Sequence, residues 1–164
     1  VGSEMCIRDR HEDALYLDFP TDTLLPSTQY DDVFNSVGIS PIDIYEGRDD
    51  LLAIFDDKSD IENLNLNVEA IKRIDKRGLI VTAPGDDSDF VSRCFFPSTG
   101  VIEDPVTGSA HTSLIPYWSK KLKKDKLIAK QLSQRGGVLS CEHKNERVLI
   151  GGNSVLYMKG EIFI

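Results

Sequence analysis

The stretch EDPVTGSAH, Glu103 to His111, holds the densest set of chemically active side chains in this chain, and it also sets where a helix can begin. Pro105 fixes its own φ angle and pushes Asp104 into an extended conformation, so the helix must start after Pro105. Thr107 or Ser109 then lies near the helix cap. Such a start exposes the first backbone N–H groups, around residues 108–110, and a glycine there lets a ligand approach the backbone closely.

Four interpretations of this stretch make different demands. A phosphate-binding P-loop needs several glycines and a Gly-Lys-Ser/Thr ending, which the stretch lacks. A serine hydrolase needs a base beside Ser109, but His111 lies two residues further and faces away on a helix. In a purely structural interpretation, Thr107 or Ser109 caps the helix and Asp104 complements its dipole. In the fourth, Asp104 stands outside a helix N-terminus whose amides hold a substrate carboxylate while a proton moves.

Outward from this stretch, the pattern predicts mostly strands. Ala110, Leu114, Trp118 and Leu122 recur every four positions and mark one face of the helix that follows. Two further helices are predicted, one at 28–37 that ends at Gly38 and one that Asn67 caps and Gly78 ends. Strands are predicted at 15–19, 42–46, 51–55, 79–84, 90–96, 138–142, 147–151, 155–158 and 161–164. Because strands and helices do not alternate regularly, the predicted class is α+β.

The composition narrows the class of protein. A chain of 164 residues with 40% hydrophobic and 28% charged residues is typical of one globular domain, or one and a part. Its net charge of -8 argues against binding nucleic acid or an anionic membrane through charge. No apolar run approaches the roughly 20 residues of a membrane span, and no secretory signal is visible. We therefore expect a cytoplasmic protein with no nucleic-acid or membrane partner.

The three cysteines, Cys6, Cys94 and Cys141, are single and widely spaced. This spacing predicts neither a zinc site nor a disulfide framework, so no metal is expected. Reduced structural thiols are the favoured interpretation, with a catalytic cysteine pair as the alternative.

The first ten residues, VGSEMCIRDR, begin with Val1 and show no helical or strand period. They are similar to translated adaptor sequence, and we expect residues 1–10 to be an artefactual lead-in that takes no part in the fold. On this expectation the chain is a fragment.

Several motifs together resemble the phenazine-biosynthesis PhzF-like family. They are RCFFP at 93–97 with Gly100, EDPVTGSAH, Tyr117-Trp118, RGLIVTAP at 77–84 and QLSQRGG at 131–137. The resemblance covers most of 11–164 and rests on a long ordered string of motifs. It implies a diaminopimelate epimerase-like fold with two pseudo-symmetric α+β halves, each a mixed β-sheet wrapped round a central helix.

The resemblance also implies domains and an activity. Residues 27–164 would form the second half-domain, with 11–26 as the end of a missing first half and the strand that crosses over. The best-characterised family activity is the isomerisation of a dihydro-hydroxyanthranilate by proton shuttling, without metal or cofactor. The helix after Gly108 would be the central helix, and the family's proline inside it, here Pro116, implies a local irregularity at Thr112.

The resemblance assigns roles within EDPVTGSAH. Asp104 and Ser109 would be catalytic, and Thr107, Gly108 and Ser109 would contact a small carboxylate substrate. Thr107 stands where related epimerases place a cysteine, which argues against a two-thiol racemase. The roles of Arg93, His111 and Arg135 stay open, with an ion pair favoured for Arg93 and a turn position for Arg135.

One departure from the family is large. The glutamate base and the GNP-type motif of the family's first half are absent, so we expect this chain alone to be inactive. The whole protein would be an isomerase, and a homodimer is one expected arrangement because family members often dimerise. The alternatives are an amino-acid or hydroxy-acid epimerase and a non-catalytic protein that binds small molecules or oligomerises.

Overall fold

The computed structural model describes residues 7–11, 14–155 and 157–162. The helices are α1 (Tyr30–Val37), α2 (Lys58–Glu62), α3 (Val68–Ile71) and α4 (His111–Leu122), with a 3-10 turn at Pro97–Thr99. The strands are β1 (Ile7–His11), β2 (Ala14–Pro20), β3 (Leu25–Pro26), β4 (Asp43–Glu46), β5 (Asp50–Ile54), β6 (Gly78–Pro84), β7 (Phe90–Phe95), β8 (Lys126–Gln131), β9 (Gly137–Lys144) and β10 (Arg147–Asn153).

Within the described residues the strands form one ten-stranded sheet. Its order is β1-β2-β10-β9-β8-β7-β6-β5-β4-β3. The pairs β5–β6 and β7–β8 are parallel, and the other neighbours are antiparallel. The sheet is therefore mixed, and the predicted α+β class with a mixed sheet is confirmed.

Helix α4 lies against one face of this sheet and forms the centre of the larger core. Leu114, Ile115 and Trp118 are buried with side chains from β5 to β10. The Trp118 ring stacks on Phe90 with ring centroids 5.6 Å apart, and its Nε1 donates to Thr82 Oγ1 at 3.0 Å. Buried aromatic pairs with a satisfied indole N–H stabilise and orient such packing. The predicted central helix is confirmed.

The short helices cover the opposite face of β4 to β7. Val33 and Val37 of α1, Ile61 of α2 and Ile71 of α3 pack there in a second buried cluster. Helix α1 ends at Gly38, as predicted, where a φ of 79° lets the glycine N–H bond back to the Phe34 carbonyl. The sheet is thus buried on both faces over its middle strands.

Pro116 lies inside α4 and removes one helical N–H donor. The carbonyl of Thr112, four residues earlier, accepts instead from the backbone N–H of Asp22 at 3.0 Å. The Ser113 hydroxyl also donates to Asp22 Oδ2 at 2.9 Å. The irregularity expected at Thr112 is therefore an external hydrogen bond, and it ties the segment after β2 to the middle of α4.

Several sequence predictions differ from the structure. The helix capped by Asn67 stops at Ile71 instead of running to Gly78. The backbone N–H of Arg77 donates to Asp49 O at 2.7 Å, and Gly78 already begins β6. Tertiary contacts with the neighbouring strand therefore override the helix signals of this segment.

The C-terminal strand predictions are wrong where the structure describes the chain. Residues 155, 157, 158 and 161–162 of the predicted strands at 155–158 and 161–164 belong to no strand, and positions 156, 163 and 164 lie outside the described residues. Val155 and Tyr157 are 93% and 98% exposed, and the structure places neither of them in a strand. Leu122, predicted to lie on the buried face, is 40% exposed because α4 ends there. Strand β8, Lys126–Gln131, was not predicted.

Two strand pairings bear on the predicted boundaries between segments of the chain. Residues 7–10 of the expected lead-in pair with β2, together with His11, because the outer edge of β2 offers unpaired backbone groups. Strand β2 also pairs with β10, so the predicted boundary between 26 and 27 does not separate two sheets. The assignment of 11–26 to a crossing segment stays a prediction.

The described residues contain neither a membrane-spanning helix nor a metal-binding cluster. None of the helices there has the length and apolar character that a bilayer crossing requires. The same residues contain no cluster of three or more His, Cys, Asp or Glu side chains arranged to hold a metal ion.

Candidate functional site

The turn from Asp104 to Ala110 is the last part of the connection between β7 and α4, and it contains the predicted site residues. The Asp104 N–H donates to the Cys94 carbonyl of β7 at 3.0 Å, which anchors the start of the turn to the sheet. The Asp104 side chain is half-buried, and its Oδ2 accepts from the Thr107 hydroxyl at 2.5 Å. No described residue is bonded to Asp104 Oδ1.

Thr107 lies beneath Asp104 and is only 5% exposed. Its N–H donates to Gln131 Oε1 at 2.8 Å, and its hydroxyl lies between Asp104 and Gln131 Nε2. The predicted substrate contact through Thr107 does not fit this placement, because a ligand cannot reach a buried hydroxyl that already has two partners. The structure instead makes Thr107 a support for Asp104.

The start of α4 differs from the predicted cap. Ala110 occupies the N-cap position with helical φ and ψ angles, and no side chain caps the helix. Short turn bonds, from His111 N–H to Gly108 O at 3.0 Å and from Thr112 N–H to Ser109 O at 3.1 Å, lead into the helix. The side-chain capping interpretation is therefore wrong, because neither Thr107 nor Ser109 takes that role.

The N–H groups of Gly108, Ser109 and Ala110 have no acceptor within the described part of the chain. Gly108 faces open space, since a side-chain carbon added there would meet no atom within 4 Å. Free amides at the start of a twelve-residue helix favour a negatively charged group. This geometry agrees with the anion-holding interpretation of Gly108 and Ser109.

Arg77, directly before β6, reaches the Ser109 side chain. Its Nη2 donates to Ser109 Oγ at 3.2 Å, and its Nε donates to Asp50 Oδ1 at 2.9 Å. Asp50 is 6% exposed, and the hydrogen bond to it raises the pKa of Arg77, so the guanidinium stays charged. Sequence reasoning assigned Arg77 no role, and its only signal was its place in the RGLIVTAP motif.

A small cavity of about 140 Å³ opens beside Ser109. Asp22, Arg48 and Asp49 form its charged walls, and Asp104 is not among the residues that line it. The two predicted catalytic residues thus lie at the two ends of one turn, and only Ser109 borders this cavity.

The residues with open roles take structural positions. Arg93 forms a bidentate ion pair with Glu103, at 2.7 and 3.0 Å, as favoured from the sequence. It also donates to the Ile61 carbonyl. Arg135 is exposed in the bend between β8 and β9, as favoured for a turn residue. His111 is fully buried, and burial lowers its pKa to about 4.

Cys94 and Cys141 are unpaired and buried, at 0% and 4% exposure. Burial raises the pKa of both thiols, that of Cys141 to about 12. Thiolates are the reactive form of cysteine, so these two side chains are structural at neutral pH. Cys6 lies outside the described residues.

Comparison with known proteins shows which family the chain resembles. The family model described as phenazine biosynthesis-like protein matches residues 18–160. Two uncharacterized isomerases of Pseudomonas aeruginosa are each 42% identical and cover 94% and 99% of this chain. The crystal structure of a PhzF-family phenazine biosynthesis protein from Enterococcus faecalis matches 96% of the chain with a TM-score of 0.83 and 42% identity.

The coverage of the other proteins is lower. The chain spans 59% and 62% of the two Pseudomonas relatives and 60% of the Enterococcus chain. The comparison therefore concerns a little over half the length of each relative.

Proposed function

Because the chain belongs to the phenazine biosynthesis-like protein family, we propose that the intact protein is an isomerase that moves a proton on a small carboxylate-bearing substrate. The relatives named isomerases support the reaction class. One observation carries the proposal: a single turn presents a half-buried carboxylate at one end and the amides of Gly108 and Ser109, which have no acceptor among the described residues, at the other.

Asp104 is the proposed proton carrier. Its Oδ2 is held by the Thr107 hydroxyl, while Oδ1 has no partner among the described residues. A carboxyl group with one fixed and one free oxygen can exchange a proton with a substrate carbon, as one member of an acid/base pair. In this role the protein needs Asp104 to be rigid and reachable, and the anchor to β7 supplies the rigidity.

Gly108 and Ser109 are the proposed holders of the substrate carboxylate. Their free N–H groups and the positive end of α4 favour an anion there, and Arg77 adds a cation that touches Ser109 Oγ. Such fixed donors stabilise the negative charge that develops when a proton leaves the carbon next to a carboxylate. A second acid/base group is also required, and the family resemblance assigns it to a glutamate of the other half.

Replacing Asp104 by Asn tests the proton carrier. In the intact protein, with dihydro-hydroxyanthranilate as substrate, Asp104→Asn should lower kcat by about 10²–10⁴-fold, the usual contribution of a positioned acid or base. The amide keeps the size and the contact with Thr107 but cannot carry the proton. Turnover followed by absorbance, with the melting temperature as a folding check, measures the effect.

Asp125→Asn is the matched control. Asp125 lies just beyond the other end of α4 and also accepts from a hydroxyl, Ser119 Oγ at 3.1 Å. This control should keep its kcat. Equal activity of the Asp104→Asn and Asp125→Asn proteins would overturn the role of Asp104. An unsubstituted protein that turns over neither dihydro-hydroxyanthranilate nor small amino acids or hydroxy acids would overturn the isomerase proposal itself.

A further inference from the structure

Gln131, the last residue of β8, is 1% exposed, and its side-chain amide makes three hydrogen bonds. All three go to the turn that carries Asp104. Oε1 accepts from the Thr107 N–H at 2.8 Å, and Nε2 donates to the Asp104 carbonyl at 2.7 Å and to Thr107 Oγ1 at 3.1 Å.

The direction of these bonds is fixed by chemistry. A backbone N–H can only donate and a backbone carbonyl can only accept, so the Gln131 amide has one possible orientation. Because Nε2 donates to Thr107 Oγ1, the hydroxyl proton is left to point at Asp104 Oδ2, 2.5 Å away. These two bonds form a donor chain, in which Gln131 donates to Thr107 and Thr107 donates to Asp104.

We propose that Gln131 is a positioning residue that acts through the Thr107 hydroxyl to hold Asp104 Oδ2 and leave Oδ1 as the oxygen that exchanges the proton with substrate. This inference rests on the proposed function. It assigns Gln131 and Thr107 a role in turnover without any contact between them and the substrate.

The segment that follows Gln131, between β8 and β9, contacts the turn at a second point. Ser133 Oγ donates to the Pro105 carbonyl at 2.7 Å and accepts from the Gly136 N–H at 3.0 Å. This contact supports the turn but reaches neither Asp104 nor Thr107. Ser133→Ala is therefore a matched control, since it removes a bond to the same turn and leaves the donor chain intact.

The hydrogen bonds themselves can be tested without any substrate. Gln131→Met keeps the length of the side chain and removes its donors and acceptor. Amide exchange followed by NMR should be about tenfold faster at Thr107 N–H in Gln131→Met, the effect of losing one hydrogen bond. Ser133→Ala should leave that rate unchanged. Unchanged Thr107 exchange in Gln131→Met would overturn the inference.

Kinetics test the role in turnover. Thr107→Val should lower kcat by about 100-fold with little change in KM, because a displaced carboxylate costs about this much. Thr107→Ser, which keeps the hydroxyl, should restore most of the rate. Thr82→Val is the control, since Thr82 is also buried and its hydroxyl also has two partners, Val91 O and Trp118 Nε1.

A double substitution separates positioning from general support. Gln131→Met should reduce kcat in the unsubstituted protein but add nothing in an Asp104→Asn background, because the group it positions is then gone. Equal losses in both backgrounds would overturn the inference. If Gln131→Met fails to fold, the comparison of Thr107→Val with Thr107→Ser decides.

The outcomes distinguish this inference from the proposed function. An active unsubstituted protein that is indifferent to Thr107→Val and Gln131→Met would overturn the positioning role alone. An unsubstituted protein without turnover would overturn the proposed function, and the catalytic meaning of the Gln131 contacts with it.

Discussion

His111, the last residue of EDPVTGSAH, shows how burial decides the role of one side chain. It is fully buried beside Phe90, with ring centroids 6.0 Å apart, and its Nδ1 lies 2.7 Å from the Thr107 carbonyl oxygen. That oxygen can only accept, so Nδ1 carries the proton. Burial disfavours the charged ring and lowers the His111 pKa to about 4, although the hydrogen bond to Thr107 opposes the shift.

This shift predicts how stability depends on pH. Above a pH of about 6.5, His111 is neutral both folded and unfolded. Below it, the unfolded chain binds a proton that the folded protein excludes until the pH reaches about 4. The free energy of unfolding should therefore decrease as the pH falls through this window, and His111 should contribute roughly 3 kcal/mol to the decrease.

Urea unfolding of His111→Asn and the unsubstituted protein at pH 7.5 and pH 4 measures this contribution. The Asn amide can still donate to Thr107, but it does not titrate, so the variant should lose less stability on acidification. Equal acid sensitivity of His111→Asn and the unsubstituted protein would contradict a neutral buried His111.

At the residue scale, the sequence predicted the local part of the site. Pro105 and Gly108 predicted a turn followed by free amides, and the structure contains both. The partners of the turn could not be predicted from spacing. Arg77 meets Ser109 across 32 positions and Gln131 meets Thr107 across 24, and both contacts depend on where β6 and β8 lie in the sheet.

At the scale of elements, α4 depends on a donor from outside the helix. The Asp22 N–H donates to the Thr112 carbonyl, which has no helical donor because Pro116 lacks an N–H. An interior proline normally costs a helix about 3 kcal/mol relative to alanine. Part of that cost is already offset here by the bond from Asp22.

Pro116→Ala tests this contact. The new N–H of Ala competes for the Thr112 carbonyl, so exchange of the Asp22 N–H should become faster. The gain in unfolding free energy should stay below the ~3 kcal/mol expected for a helix interior. Hydrogen exchange and urea unfolding measure the two effects.

Ser113→Ala is the control for Pro116→Ala, since it removes only the side-chain bond to Asp22 Oδ2. Asp22 exchange that is as slow in Pro116→Ala as in the unsubstituted protein would show that the Asp22 N–H does not depend on the gap at Pro116.

The elements that the sequence predicted well carry their own boundary signals. Gly38 ends α1, and Asn67 caps α3 through its side chain at 3.1 Å from Ala70 N. The wrong predictions lie where contacts between residues distant in sequence determine the secondary structure. β-branched and apolar residues near Val155 favour a strand, but no strand among the described residues pairs with them.

At the scale of the whole molecule, the sheet places every part of the site relative to α4. Strand β7 anchors Asp104, strand β6 follows Arg77, and β8 ends in Gln131, so three adjacent strands converge on one turn. The mixed sheet and central helix could be predicted only through the family resemblance, because composition and periodicity gave no more than the α+β class.

In the proposed reaction, Asp104 carries a proton between the substrate and positions that exchange with solvent. The direct measurement is isomerisation of dihydro-hydroxyanthranilate by the intact protein in D₂O, with mass spectrometry of the product. Because a carboxyl proton exchanges with water, we predict one deuterium at the new C–H bond, and about 10²–10⁴-fold slower product formation with Asp104→Asn. A product that forms without deuterium, and at the same rate in Asp104→Asn and the unsubstituted protein, would contradict the role of Asp104.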